Sequence, residues 1–173
     1  MLILAKPQGL RQPARRSGQR GSFLIEALLG ILIFSLGILA LVGMQAAAIS
    51  AQSDARYRTE AANLAQQMIN NIWLNVDHTS SATIQTGLAG FAHLTSGAVN
   101  SCSFSGTASG NALVSSWVTS VTGASGLPGA TAAMQQITVD TSVSGYNKIA
   151  ITLCWQAPRA TTPNRHTVVT YVN

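Results

Sequence analysis

Gly21-Ser22-Phe23-Leu24-Ile25-Glu26, with the uncharged apolar residues 27–44 directly behind it, is the stretch whose reading decides the fold. A basic leader precedes the glycine, and one carboxylate stands five residues beyond it, at the head of the apolar run. With no charge for about 18 residues, the run is long enough to cross a hydrocarbon core as a helix. Ser35 is its one polar interruption after Glu26. Gly30 and Gly37 lie seven residues apart and so near one face of the helix, where missing side chains permit close helix–helix approach. Gly37 and Gly43 also weaken the helix, each by up to about 1 kcal/mol relative to Ala. Ordinary membrane-helix glycines and a packing face for partner helices are both open readings.

The formal charge of +5 at first suggests a nucleic-acid or membrane-surface binder. Its distribution removes that suggestion. Lys6, Arg11, Arg15, Arg16 and Arg20 all precede Gly21, whereas Arg56, Arg58, Lys148, Arg159 and Arg165 are balanced by Glu26, Asp54, Glu60, Asp77 and Asp140. The basic character belongs to the leader, and no direct nucleic-acid binding is expected of the remainder.

Residues 1–20 hold no acidic residue, are interrupted by proline and show no sustained helical pattern. They read as a processed or cytoplasm-retained leader. A secretory signal cut near Ala46-Ala47-Ala48 is the competing reading. Against it, the leader is long for a charged n-region and the apolar run exceeds the usual ~7–15 residues. A membrane segment with positive residues on its N-terminal side places the chain beyond it outside the cytoplasm. There an oxidising compartment predicts a disulfide between Cys102 and Cys154, with two buried free thiols as the alternative. A bridge closing a loop of about fifty residues stabilises by roughly 4 kcal/mol in the chain-entropy model.

Beyond the apolar run, Ala61, Leu64, Ala65, Met68, Ile69, Ile72, Trp73 and Val76 recur with the spacing of one helix face. Asn63, Gln66, Gln67, Asn70, Asn71 and Asn75 fall on the other side. One long helix is therefore expected from just after Gly21 to about Val76, with Met68 and Trp73 as core residues. Residues 79–111 turn to Ser, Thr, Gly and Ala and read as a long surface connection tied down by Cys102. Asn111 can cap a short helix carrying Leu113, Val114, Trp117, Val118 and Val121, which Leu127-Pro128-Gly129 ends. Alternation then predicts strands over 137–141, 148–155 and 166–172, joined through a Ser144-Gly145 turn and a 158–163 link into an antiparallel meander. The face carrying Ile151, Leu153 and Trp155 should cover the helix stripe. Cys154 then points the other way, so the Cys102 segment must lap across the outside of the sheet or around its edge.

Glu26 is the chemical oddity. A carboxylate near the start of a membrane helix is costly, by about 2.5–3.5 kcal/mol at the helix centre and less toward the end, so it needs a partner. If the chain is cut after Gly21, Ser22 becomes the amino terminus and Glu26 lies in the first turn, where the helix dipole favours negative charge. The cationic α-amino group of a neighbouring subunit would pair with it.

The stretch from Gly21 to Glu26 and the apolar run resemble the class III leader of type IV prepilins. The residues from Leu24 to Leu41 are similar to minor pilins of the PilV family, the type IV pilus modification proteins, as are Leu127-Pro128-Gly129 after the Trp117 helix and the strand ending in Cys154-Trp155. The resemblance is strong over residues 20–76 and loose thereafter. It implies the α+β type IV pilin fold, a long N-terminal helix packed on a small antiparallel sheet of three to four strands. It divides the chain into a leader peptide (1–21), a transmembrane and filament-core helix (22–53) and a globular head (54–173). It also implies that prepilin peptidase cuts between Gly21 and Ser22, that Ser22 is N-methylated and that Glu26 acts in assembly. Ser22 stands where most members of the family have Phe; counting back from Glu26 still fixes the cut after Gly21.

The partners implied are other pilins and minor pilins, prepilin peptidase and inner-membrane lipid, with the head in the periplasm before assembly and at the cell surface after it. No cofactor is expected. His78, His93 and His166 lack the spacing of a metal motif, and no nucleophile elbow or phosphate-binding loop occurs. Asp77-His78 reads as the end of the long helix rather than an acid–base pair. The competing functional readings are a minor pseudopilin of a type II secretion system and an exported or membrane-anchored binding domain; an enzyme ranks last for want of a site.

Overall fold

The computed structural model describes residues 20–142, 145–158 and 160–173, with only the backbone of Arg20. The leader residues 1–19, Ser144 of the expected turn and Arg159 of the expected link lie outside the described residues. Helix α1 runs over Arg20–Asn75, close to the range expected. The chain divides into two units, Met1–Ala48 and Ile49–Asn173. In the first, α1 is the described element.

In the second unit, α1 buries Ala61, Leu64, Ala65, Met68, Ile69 and Ile72, and Val76 just beyond its end is buried with them. Trp73 corrects the expected stripe: it is 42% exposed. At 3.6 residues per turn it stands about 100° around the helix from Ile72, beyond the edge of the core face. Its ring stacks on His78 with centroids 5.5 Å apart.

The connection over 79–111 is more ordered than its composition suggests. Helix α2, Ser81–Ala89, starts with a capping box: the Thr83 amide donates to Ser80 Oγ, the Ser80 amide donates to Thr83 Oγ1, and Ile84 and Leu88 are buried. Such a short helix is stable only because Ile84 and Leu88 join the core around Ile72 and Val76. Past it, His93 forms a β-bridge with Ile137, and Ser96 bridges Ser105. A 3-10 turn, Val99–Ser101, leads into Cys102.

Helix α3, Ala112–Thr122, begins where expected, with the Leu113 amide donating to the Asn111 side chain at 2.9 Å. It buries Val114, Trp117 and Val121, and the Trp117 indole donates to the Leu64 carbonyl of α1 at 2.9 Å. The chain then turns through Leu127-Pro128-Gly129. Gly129 takes φ +64°, and a β-carbon there would sit 2.7 Å from the Gln156 carbonyl oxygen. Only glycine fits that conformation and that approach.

Strands β1 (Gln135–Asp140), β2 (Asn147–Trp155) and β3 (Asn164–Val172) form an antiparallel meander in the order β1-β2-β3. Ile137, Ile149, Ile151, Leu153 and Trp155 share one core with the α1 stripe, α2 and α3. The architecture is α+β, a long N-terminal helix packed on a three-stranded sheet, as the sequence predicts. Cys154 faces the other way and is buried in a second cluster with Cys102 and Phe104, against Leu94 and Met134.

Candidate functional site

Gly21, Ser22 and Glu26 lie on the first two turns of α1, all exposed. Behind them the large apolar side chains on all sides of the helix are exposed among the described residues, from 45% at Ile38 to 72% at Phe23. The most apolar 18-residue window has a mean hydropathy of 2.6, and none of it is buried. A helix satisfies its own backbone hydrogen bonds, so such a segment meets the requirement for crossing a bilayer. Ser35 removes its own polarity by donating to the Ile31 carbonyl at 2.7 Å. Glu26 is the one charged residue over 21–53.

Two features of this half have no cause among the described residues. A β-carbon at Gly30, Gly37 or Gly43 would meet nothing within 4 Å, so no contact among the described residues requires those glycines. Glu26 is the seventh residue of α1 as the helix stands, counting from Arg20, beyond the first turn in which the dipole acts strongly. A chain starting at Ser22 would make it the fifth and bring it to the edge of that turn.

In the second unit, Cys102 and Cys154 are joined, with Sγ atoms 2.02 Å and Cα atoms 5.7 Å apart. The bridge ties the 94–104 segment across the outer face of β2, as the alternation required. Asp77 is committed to the turn after α1: its carboxylate accepts from the Thr79 amide at 2.9 Å, and that hydrogen bond holds its pKa below the usual carboxylate value. Asp140 is held low in the same way by Ser142.

His93 is the residue that sequence reasoning missed. It is buried, its Nδ1 accepts from the Ser109 amide at 3.1 Å, and its Nε2 has no partner. Burial pushes its pKa down. No signal in the Ser, Thr and Gly around it announces this. Among the described residues no group of three or more His, Cys, Asp or Glu could hold a metal ion. A cleft of about 490 Å³ between Arg56 and Tyr57 of α1 and the loop after α3 contains Arg56 as its one charged side chain. It offers no paired acid and base. No protein-family model matches this chain, and neither does any curated protein sequence or solved structure.

Proposed function

We propose that this chain is a minor pilin, a structural and assembly subunit of a bacterial type IV pilus with no catalytic role. The observation that carries the reading is a helix half that exposes apolar side chains around its circumference, with a single carboxylate five residues past a glycine that follows a basic stretch. A lone membrane anchor needs the length and the apolarity, but it does not need Glu26, which carries an insertion cost. A subunit that leaves lipid to pack among partner helices does have a use for it. The cationic amino terminus of a neighbour neutralises Glu26, and the open glycines admit the neighbour's backbone.

In this reading prepilin peptidase cuts between Gly21 and Ser22 and Ser22 is N-methylated. The protein waits in the inner membrane with its head in the periplasm, then enters the filament with other pilins and minor pilins, in the priming or tip complex. The Cys102 to Cys154 disulfide suits that oxidising location. Glu26→Ala tests the assembly role. The variant is expected to be cut normally in the membrane fraction and depleted from sheared filaments; wild-type amounts in the filaments would rule the role out.

A further inference from the structure

Residues 105–111 run from the β1 edge of the sheet to α3 as a strap that no apolar burial holds down. From Ser105 to Ala112 no side chain is buried, and only Ser109 and Asn111 are half-buried. Polar contacts attach the strap instead. The Leu94 amide donates to the Thr107 carbonyl at 3.1 Å, and the backbones of Ser96 and Ser105 bond each other at 2.9 Å. Ser109 Oγ donates to the Gly90 carbonyl at 2.7 Å and accepts from the Asn111 amide at 3.2 Å. Among the described residues, one bond ties the strap to a buried side chain: the Ser109 amide donates to His93 Nδ1 at 3.1 Å.

That bond exists for one protonation state of His93. To accept, Nδ1 must carry a lone pair, so the proton of the neutral ring sits on Nε2, which is buried and has no partner among the described residues. A second proton, on Nδ1, would set two N–H groups against each other at Ser109 and place a charge on a ring that is 6% exposed. No opposite charge stands by to offset it. Apart from the bridged Cys102, His93 is the one titratable side chain from Thr79 to Val139, so α2, the strap and α3 bring none. Asp77 and His78 lie before the start of α2, at the other end of that helix from Gly90. α1 has no charge from Ala61 to Asn75. His93 pairs with Ile137 and so shares its core-side face of the sheet. By alternation Asp140 and Lys148, which pair with each other, and Arg165, which pairs with Cys154, fall on the opposite face. His166 is the remaining group on the core side, and it stands on β3, at the far side of the sheet. Burial alone is what lowers the His93 pKa.

We propose that His93 is a proton-operated latch, whose protonation releases the strap over residues 105–111 while the core and the Cys102 to Cys154 bridge stay intact. Once the strap lifts, both N–H groups of the ring reach water, and the strap gives up only exposed polar bonds that water replaces. The open form takes up the proton at the ordinary histidine value of 6.5 and the closed form below it. The latch is therefore shut above about pH 6.5 and opens as pH falls through the closed-form value. It is a property of the second unit alone and does not depend on the filament reading.

The test follows amide exchange and the His93 ring by NMR in the full chain in detergent, from about pH 7 downward until the second unit unfolds, with exchange corrected for its intrinsic pH dependence. Protection of the Ser109 amide is expected to fall by up to about tenfold per pH unit below about pH 6.5. Its midpoint should coincide with the titration of the His93 ring, while the Ile151 and Trp117 amides remain protected. His93→Asn puts an amide oxygen near the place of Nδ1 and does not titrate, so in that variant the protection of Ser109 should not change with pH. Formation of the Cys102 to Cys154 bridge checks that the variant folds; if it does not, the shared midpoint in the unaltered chain decides alone. Four results would overturn the latch: Ser109 still protected beside a protonated His93, a His93 still neutral where the unit unfolds, Ser109 exchanging only together with Ile151 and Trp117, or an equal decline in His93→Asn.

Discussion

Trp117 and His93 are both buried polar aromatics, but only the indole is fully paired. Trp117→Phe keeps the ring and removes the donor to Leu64, so it is expected to lower stability by about 1 kcal/mol, the net worth of a typical internal hydrogen bond. Urea unfolding of the full chain in detergent measures this; an unchanged midpoint would contradict it. His93 makes a prediction about pH. Its pKa is lowered in the fold below its ordinary value of 6.5, so the unfolded chain takes up the proton first. Stability is therefore full above about pH 6.5 and lost as pH falls through the folded value. Asp77 and Asp140, both held below 3.8, act in a lower window. His93→Gln should flatten the decline between about pH 7 and pH 5, and an equal decline in the variant would remove His93 as its cause. Trp117 was legible because it falls on an apolar helical period. His93 was not, because its burial comes from pairing with Ile137, 44 residues away in sequence, counting 137 minus 93.

Local rules carried the long elements and failed on the short ones. Helix α1, the Asn111 cap of α3 and the meander all follow from periodicity and turn residues, because each has enough residues on one face to dominate its neighbours. Helix α2 has two buried residues and a glycine in its interior, so its stability lies in tertiary contacts that no window of sequence contains. Trp73 fails for the opposite reason: an apolar residue at permissible spacing sat one step past the core face. The 94–104 segment is held by the disulfide across a sequence separation of 52, and replacing both cysteines with serine should cost about 4 kcal/mol by the chain-entropy estimate. Guanidinium unfolding with and without reductant reads that loss, and coincident curves would show the bridge to be energetically idle. Gly129→Ala combines a left-handed φ with a clash against Gln156. It should destabilise the second unit by at least about 1 kcal/mol, seen as a lower melting temperature, whereas an unchanged one would mean that the turn relaxes freely.

At the scale of the molecule, one unit holds a core of its own, and in the other the described residues 23–44 leave their large apolar side chains exposed. An exposed apolar surface of that extent is suited to another phase or to other molecules, and the proposed filament role assigns Glu26 to other molecules. The apolarity and the carboxylate were both plain in the sequence. In the proposed reading the partner lies outside the single chain, so no window of this sequence contains the mate of Glu26. The most direct measurement is the intact mass, under non-reducing conditions, of the protein from the membrane fraction of cells with and without prepilin peptidase. A filament subunit should give a chain that begins at Ser22, carries one added methyl group and lacks two hydrogens, and whose shortening depends on the peptidase. A chain beginning after Ala48, or one uncut in both strains, would contradict this and leave an exported or anchored domain in place of a filament subunit.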